Sequence, residues 1–224
     1  MKPLFRRIAV TAVWLAVVGS AMGLLAAYSN TPGLVASAPT MWPAGAGIAL
    51  ERDRPTLVLL AHPHCPCTRA TLGELEILMA ENQGRVSARV VFIRPNEFTE
   101  EWVKTDLWRT ATAIPGVTVS VDEAGTEAHL FHAETSGQTP LFDRSGALIF
   151  EGGITESRGH AGDNAGRSAI TALLHSSSIP YSNLRARTRT KDEDDRRRAP
   201  IVTPVFGCPL FAANCAAGET KCKK

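Results

Sequence analysis

The sequence has no surplus of charge of either sign: 24 basic side chains stand against 22 acidic ones, a net of +2 over 224 residues. Recognition of nucleic acid calls for a basic patch on a structured face, and this balance gives no reason to propose one. There is no internal repeat to build an array from. No Gly-x-x-x-x-Gly-Lys run is present to cradle a phosphate. Cysteine is scarce, and its five copies are an odd number, so at least one has no intramolecular partner. With 44% hydrophobic and 21% charged residues the chain is not disordered as a whole. Its length suits one ordinary domain plus appendages.

Charge is missing altogether from one stretch. Ile8 to Tyr28 is apolar and uncharged, and about 20 such residues cross a hydrocarbon core as a helix. Lys2, Arg6 and Arg7 precede the run and no basic residue follows closely, which places the N-terminus in the cytoplasm and the rest outside. The expectation is a single-pass anchor at residues 1–28, inserted through 8–28 in a bacterial-type inner membrane, with the domain on the periplasmic side. A cleaved signal peptide is the competing reading. Ala36-Ser37-Ala38 has the small residues of a cleavage site, but Pro39 directly after it obstructs cleavage, and the run is long for a signal sequence. Both readings export the domain to a compartment where thiols are oxidised or are kept reduced for a purpose.

Residues 29–54, rich in Pro, Gly, Ala and Ser at their start, read as a tether. Periodic structure runs from 55 to 175. Thr56 to Leu60 has the character of a strand buried on both faces, and Leu72, Leu75, Leu78 and Met79 recur at helical spacing up to Gly84. Val86 to Ile93 reads as a strand ended by Pro95, Trp102 to Thr112 as a helix with Trp102 and Leu107 inward, and Val117 to Val121 as a strand. A short helix over Gly125 to Phe131 follows. Thr139–Phe142 and Ala147–Phe150 form a hairpin about Asp143-Arg144-Ser145-Gly146, and Asn164 to His175 closes the domain as a helix. The predicted class is α/β: a mixed sheet covered by helices on both faces. From 176 to 224 the chain reads as a disordered tail, with a solvated run of mixed charge at Arg185–Arg198 and a short stretch bearing Cys208, Cys215 and Cys222.

His62-Pro63-His64-Cys65-Pro66-Cys67-Thr68 falls between the first strand and the first helix of the domain. A helix N-terminus offers unpaired N–H groups and a positive dipole end, both of which favour thiolate over thiol. Protonated imidazoles beside it push the same way. Structural disulfides rarely join positions two apart, where the ring strains the bond, and a strained disulfide suits exchange better than bracing.

That arrangement of strand, Ala61-His62-Pro63-His64-Cys65-Pro66-Cys67 and helix resembles the thioredoxin superfamily, over roughly Pro55 to His175. The Asp143-Arg144-Ser145-Gly146 hairpin is similar to that of its membrane-anchored, TlpA-like branch. The His-Pro-His-Cys-Pro-Cys run, Gly152-Gly153-Ile154-Thr155, Arg158-Gly159-His160 and Gly162 to Gly166 resemble RedB-like exported proteins. The resemblance implies a thioredoxin-like fold and a thiol–disulfide oxidoreductase with a protein thiol or disulfide as client and no cofactor. It makes Cys65 the attacking thiol and Cys67 the resolving one, with His62, His64 and Pro66 in support; the reverse assignment of the two thiols stays open. The spacing departs from the superfamily's Cys-x-x-Cys. Where the superfamily places a cis-proline before the hairpin, this chain has Gly137 or Gln138, and Gln138 joins the supporting residues. Cys208, in Phe206-Gly207-Cys208-Pro209-Leu210, is a candidate accessory thiol exchanging with the main pair.

Two other readings use the same residues. Soft thiolates and imidazoles suit Cu(I) or zinc, so His64, Cys65 and Cys67 are the ligand set of a metal chaperone like those of the Sco family, with copper as cargo. A non-catalytic interaction module on a degenerate thioredoxin fold would tolerate loss of both cysteines. His129, His132 and His160 are more remote candidate ligands, and for Asp163 and Asn164 the simpler expectation is capping of the last helix.

Overall fold

The computed structural model describes residues 2–176 and 199–211. Cys215, Cys222 and the charged run from Arg185 lie outside the described residues. Helix α1 (Lys2–Ser29) leads into an extended segment. The folded body then runs β1 (Thr56–Ala61), α2 (Pro66–Glu81), β2 (Ser87–Arg94), α3 (Glu100–Val103), α4 (Asp106–Ala113), β3 (Val117–Glu123), α5 (Thr126–Leu130), β4 (Leu141–Phe142), β5 (Leu148–Glu151) and α6 (Ala165–Ser176), with β6 (Ile201–Val202) after it. One sheet carries all these strands in the order β3-β2-β1-β4-β5-β6. The β1–β2, β2–β3 and β5–β6 pairs are parallel, and β4 runs antiparallel to both its neighbours.

The central strand explains the layering. Side chains alternate across a strand, and β1 has no polar residue after Thr56 to give either side to water. Leu57, Leu59 and Ala61 enter one core with Leu72, Leu75 and Leu78 of α2 and with Ile170 and Leu174 of α6. Val58 and Leu60 enter the other with Val91, Ile93, Phe131 and Phe142. Helices cover both faces, and the loop after β1 is brought to the carboxyl edge of the parallel strands, at the start of α2.

Four local differences from the sequence-based expectations have physical causes. The helix expected over 102–112 is two short ones, because α3 closes at Lys104, whose N–H bonds back to Glu100, and Thr105 turns its hydroxyl to the Pro63 carbonyl (3.1 Å). The segment expected as a tether is laid along the sheet. Trp42 meets Phe131 and Phe142 edge-on, each at 5.2 Å between ring centroids, and its N–H bonds to Gly146. Strand β6 was not anticipated: Ile201 and Val202 pair with Phe150 and Glu151. The expected tail therefore includes a docked piece, since residues 199–211 lie against the domain, with Val205 and Leu210 buried. Asn164 does cap α6, its Oδ1 accepting the Arg167 N–H at 2.8 Å.

Candidate functional site

Cys65 is the residue that precedes the first turn of α2, with extended backbone (φ −81°, ψ 118°), and Pro66 opens the helix. Proline fits there because its missing N–H would have no partner in the helix anyway. The N–H groups that follow are left facing back toward Cys65, and Thr68 N–H reaches the Cys65 carbonyl at 3.1 Å. Cys65 and Cys67 are both buried.

The third thiol arrives from the far end of the chain. Residues 203–210 form a strap fastened by backbone bonds: Thr203 to Glu151 (3.0 Å), Gly33 to Val205 (2.8 Å), Ser136 to Cys208 (2.8 Å) and Leu210 to Glu134 (2.8 Å). It carries the Cys208 sulfur to 3.0 Å from that of Cys65. Gly207 permits this approach, because a Cβ at that position would fall on the Ser136 carbonyl. Arg158 holds the same turn from outside. Its guanidinium donates to the carbonyls of Gly207 and of Thr31 (3.1 Å) and lies over the Tyr28 ring at 5.0 Å.

The three sulfurs are electrostatically unequal. The S–H of Cys208 donates to Cys65, and backbone N–H groups of Cys208, Thr68 and Cys67 add to it, taking the Cys65 thiol down to about 4 against the opposing effect of burial. Burial and the negative charge on Cys65 push Cys67 up, with Arg158 drawing it the other way. Cys208 is pushed up by the bond it donates, then by burial. The site thus favours negative charge on Cys65 over its two neighbours.

The two histidines do not supply that bias in the way their positions imply. Burial pushes the His62 imidazole down, toward the neutral ring, and its Nδ1 accepts the His64 N–H (3.1 Å). The exposed His64 side chain turns outward, its Nε2–H on the Trp102 carbonyl (2.9 Å) and its ring against the Trp102 ring at 4.6 Å. The His64 imidazole is outside the group of sulfurs: among the described residues the ligand atoms that converge are those of Cys65, Cys67 and Cys208, all within 4.8 Å of one another. Pro66 is exposed. Gln138 bridges by backbone to Leu60, but its side chain points away from the thiols, to the carbonyls of Ala36 (3.2 Å) and His132 (3.4 Å). His129 stacks on Phe211 and His132 bonds to Ser37, so neither reaches the site.

Ser136 was not anticipated at all. Its hydroxyl accepts the His62 N–H (2.9 Å) and meets the Thr68 hydroxyl (2.9 Å), while its own N–H holds Cys208. One serine therefore clamps the loop before α2 to the strap. No local pattern marks it, since its partners are 68 to 74 residues away.

No protein-family model matches the chain, and no curated protein matches it. Solved structures do. An uncharacterized conserved protein from Geobacillus kaustophilus aligns with a TM-score of 0.51 at 18% identity, over 84% of this chain and 96% of that one. A hypothetical protein from Sinorhizobium meliloti aligns with a TM-score of 0.52 at 17% identity, over 83% and 97%. A secreted Mycobacterium tuberculosis disulfide oxidoreductase homologous to E. coli DsbE aligns with a TM-score of 0.38 at 12% identity, over 56% and 83%. The likeness is one of fold: a mixed sheet flanked by helices.

Proposed function

We propose that this chain is an exported, membrane-anchored thiol–disulfide oxidoreductase of the TlpA-like, RedB-like kind, in which Cys65 is the attacking thiol. The observation that carries the reading is the placement of Cys65 at the start of α2 with an S–H and several N–H groups aimed at it. A thiolate is the attacking species in exchange, and a buried anion with this many donors is costly to keep for bracing alone. The client is a protein disulfide, which exchanges its bond for one to Cys65. A neighbouring thiol then releases it.

The anchor is α1. Pro3–Ser29 is long and apolar enough to cross a membrane, and none of it is buried against the rest of the chain. Lys2, Arg6 and Arg7 at its N-terminal end, before the uncharged run from Ile8, orient the body toward the periplasmic side.

Three converging sulfurs favour a second reading, delivery of a soft metal ion. Two thiolates about zinc, at roughly 2.3 Å each, stand roughly 3.7 Å apart in tetrahedral geometry. The 3.0 Å between Cys65 and Cys208 is closer than that, and His64 is turned away. Exchange is the better fit. In the test, the reduced full chain is offered oxidised glutathione; exchange is expected to disappear in Cys65→Ser. Unchanged exchange in that variant, with stoichiometric Cu(I) binding by the parent, would move the protein to the metal reading.

A further inference from the structure

The resemblance pairs Cys65 with Cys67, yet the sulfur in contact with Cys65 belongs to the strap. We propose that Cys208, and not Cys67, is the thiol that resolves the mixed disulfide at Cys65, so that the redox-active bond joins the start of α2 to the C-terminal strap. This rests on the exchange reading above and names its second catalytic residue.

Geometry separates the two candidates. Cys208 has its sulfur 3.0 Å from that of Cys65 and is held there by the Ser136 N–H on its own carbonyl and by the Leu210–Glu134 backbone bond two residues on. A reactant kept at near-attack distance reacts with a high effective concentration. A Cys65–Cys67 bond would instead close a ring through Pro66, whose φ is locked and which forms the first position of α2. Closing it strains the ring or unwinds the turn. The Cys67 sulfur also lies within 4.8 Å of that of Cys65, so it is the closure through Pro66, and not distance alone, that separates the two candidates.

The strap also covers the site. Cys65 is 2% exposed beneath Cys208, so a client reaches it when the Gly207–Pro209 turn lifts, and the returning turn brings the resolving sulfur with it. The step balances. The Cys65 thiolate attacks a client sulfur; that disulfide breaks, and its other sulfur leaves as a thiolate that takes the Cys208 proton. The Cys208 thiolate then attacks Cys65, expelling the second client sulfur. Two protein thiols are oxidised to one disulfide and the client disulfide is reduced by two electrons. A small dithiol restores the starting state.

The experiment uses the full chain in detergent, reduced, with oxidised glutathione as the disulfide probe, and locates the product bonds by mass spectrometry of unreduced peptides. The parent is expected to yield a Cys65–Cys208 bond and two equivalents of glutathione. Cys208→Ser is expected to accumulate glutathione on Cys65, with its release slowed by about a hundredfold or more. A Cys65–Cys67 bond in the parent, or release at the parent rate from Cys208→Ser, overturns the assignment. Glutathione that never attaches to Cys65 in either protein overturns the exchange reading itself, a distinguishable result because no bond of any kind then forms at that residue.

Discussion

At Cys65 burial alone opposes the anion, and four donors outweigh it. The largest is the Cys208 S–H, so removing it should be felt directly. Titration of the reduced protein by the ultraviolet absorbance of thiolate is expected to show a midpoint near 4 that rises by more than about one unit in Cys208→Ala, which leaves no side-chain donor there. A folded value below the unfolded one makes the thiolate a stabilising group at pH above the unfolded thiol range. That contribution falls away as pH drops and is gone once pH passes below about 4. His62 behaves oppositely in kind, its ring kept neutral by burial. The Cys65-Pro66-Cys67 loop was legible from its position between a strand-like and a helix-like run. Cys208 was named from the sequence as a candidate accessory thiol, but the contacts that hold it and Ser136 at the loop were not legible. Cys208 lies 143 positions from Cys65, and contacts of that separation leave no periodic trace. Only Gly207 before it and Pro209 after it marked the turn as special, and Ser136 carried no mark.

Elements with long apolar patterns were readable in order and kind, because burial on one or two faces dictates period. β1 and α2 are the clearest cases: each alternate residue of β1 has a core to enter. Short or composite elements were not. β6 is two residues long and takes its identity from pairing with β5. The break between α3 and α4 depends on Thr105 reaching Pro63, a tertiary bond. The segment after α1 looked like a tether because Gly, Pro and Ala have little pattern, yet it also places Ala38 N–H on the buried Glu151 (2.6 Å). Trp42 decides the matter by experiment. Its loss from two edge-on aromatic contacts is expected to cost about 3 kcal/mol in chemical denaturation of Trp42→Ala. A true tether would change by less than about 0.5 kcal/mol, and that result would contradict the packing described for this segment.

On the scale of the whole molecule, the end of α1 and the 203–210 strap meet beside the site. Arg158 bonds through its N–H to Ser29 at the end of α1 (2.9 Å), reaches Thr31, and holds the Gly207 carbonyl of the strap. Cys65, in contact with that strap, therefore sits close to where the body joins its apolar helix. Among the described residues α1 is the one helix fit to span a membrane. The full chain is expected to stay in the membrane fraction through an alkaline carbonate wash and to leave it only with detergent; release by the wash alone would contradict the anchor. The central claim, however, is chemical. Its most direct measurement is the site of attack: the reduced full chain is mixed with a peptide disulfide about two pH units below the ordinary thiol value, quenched with acid, and the mixed disulfide located. Peptide is expected on Cys65 in Cys208→Ser, where the mixed disulfide is not resolved, and none at all in Cys65→Ser. Peptide on another cysteine of a folded protein, or on none in Cys208→Ser, would contradict the claim.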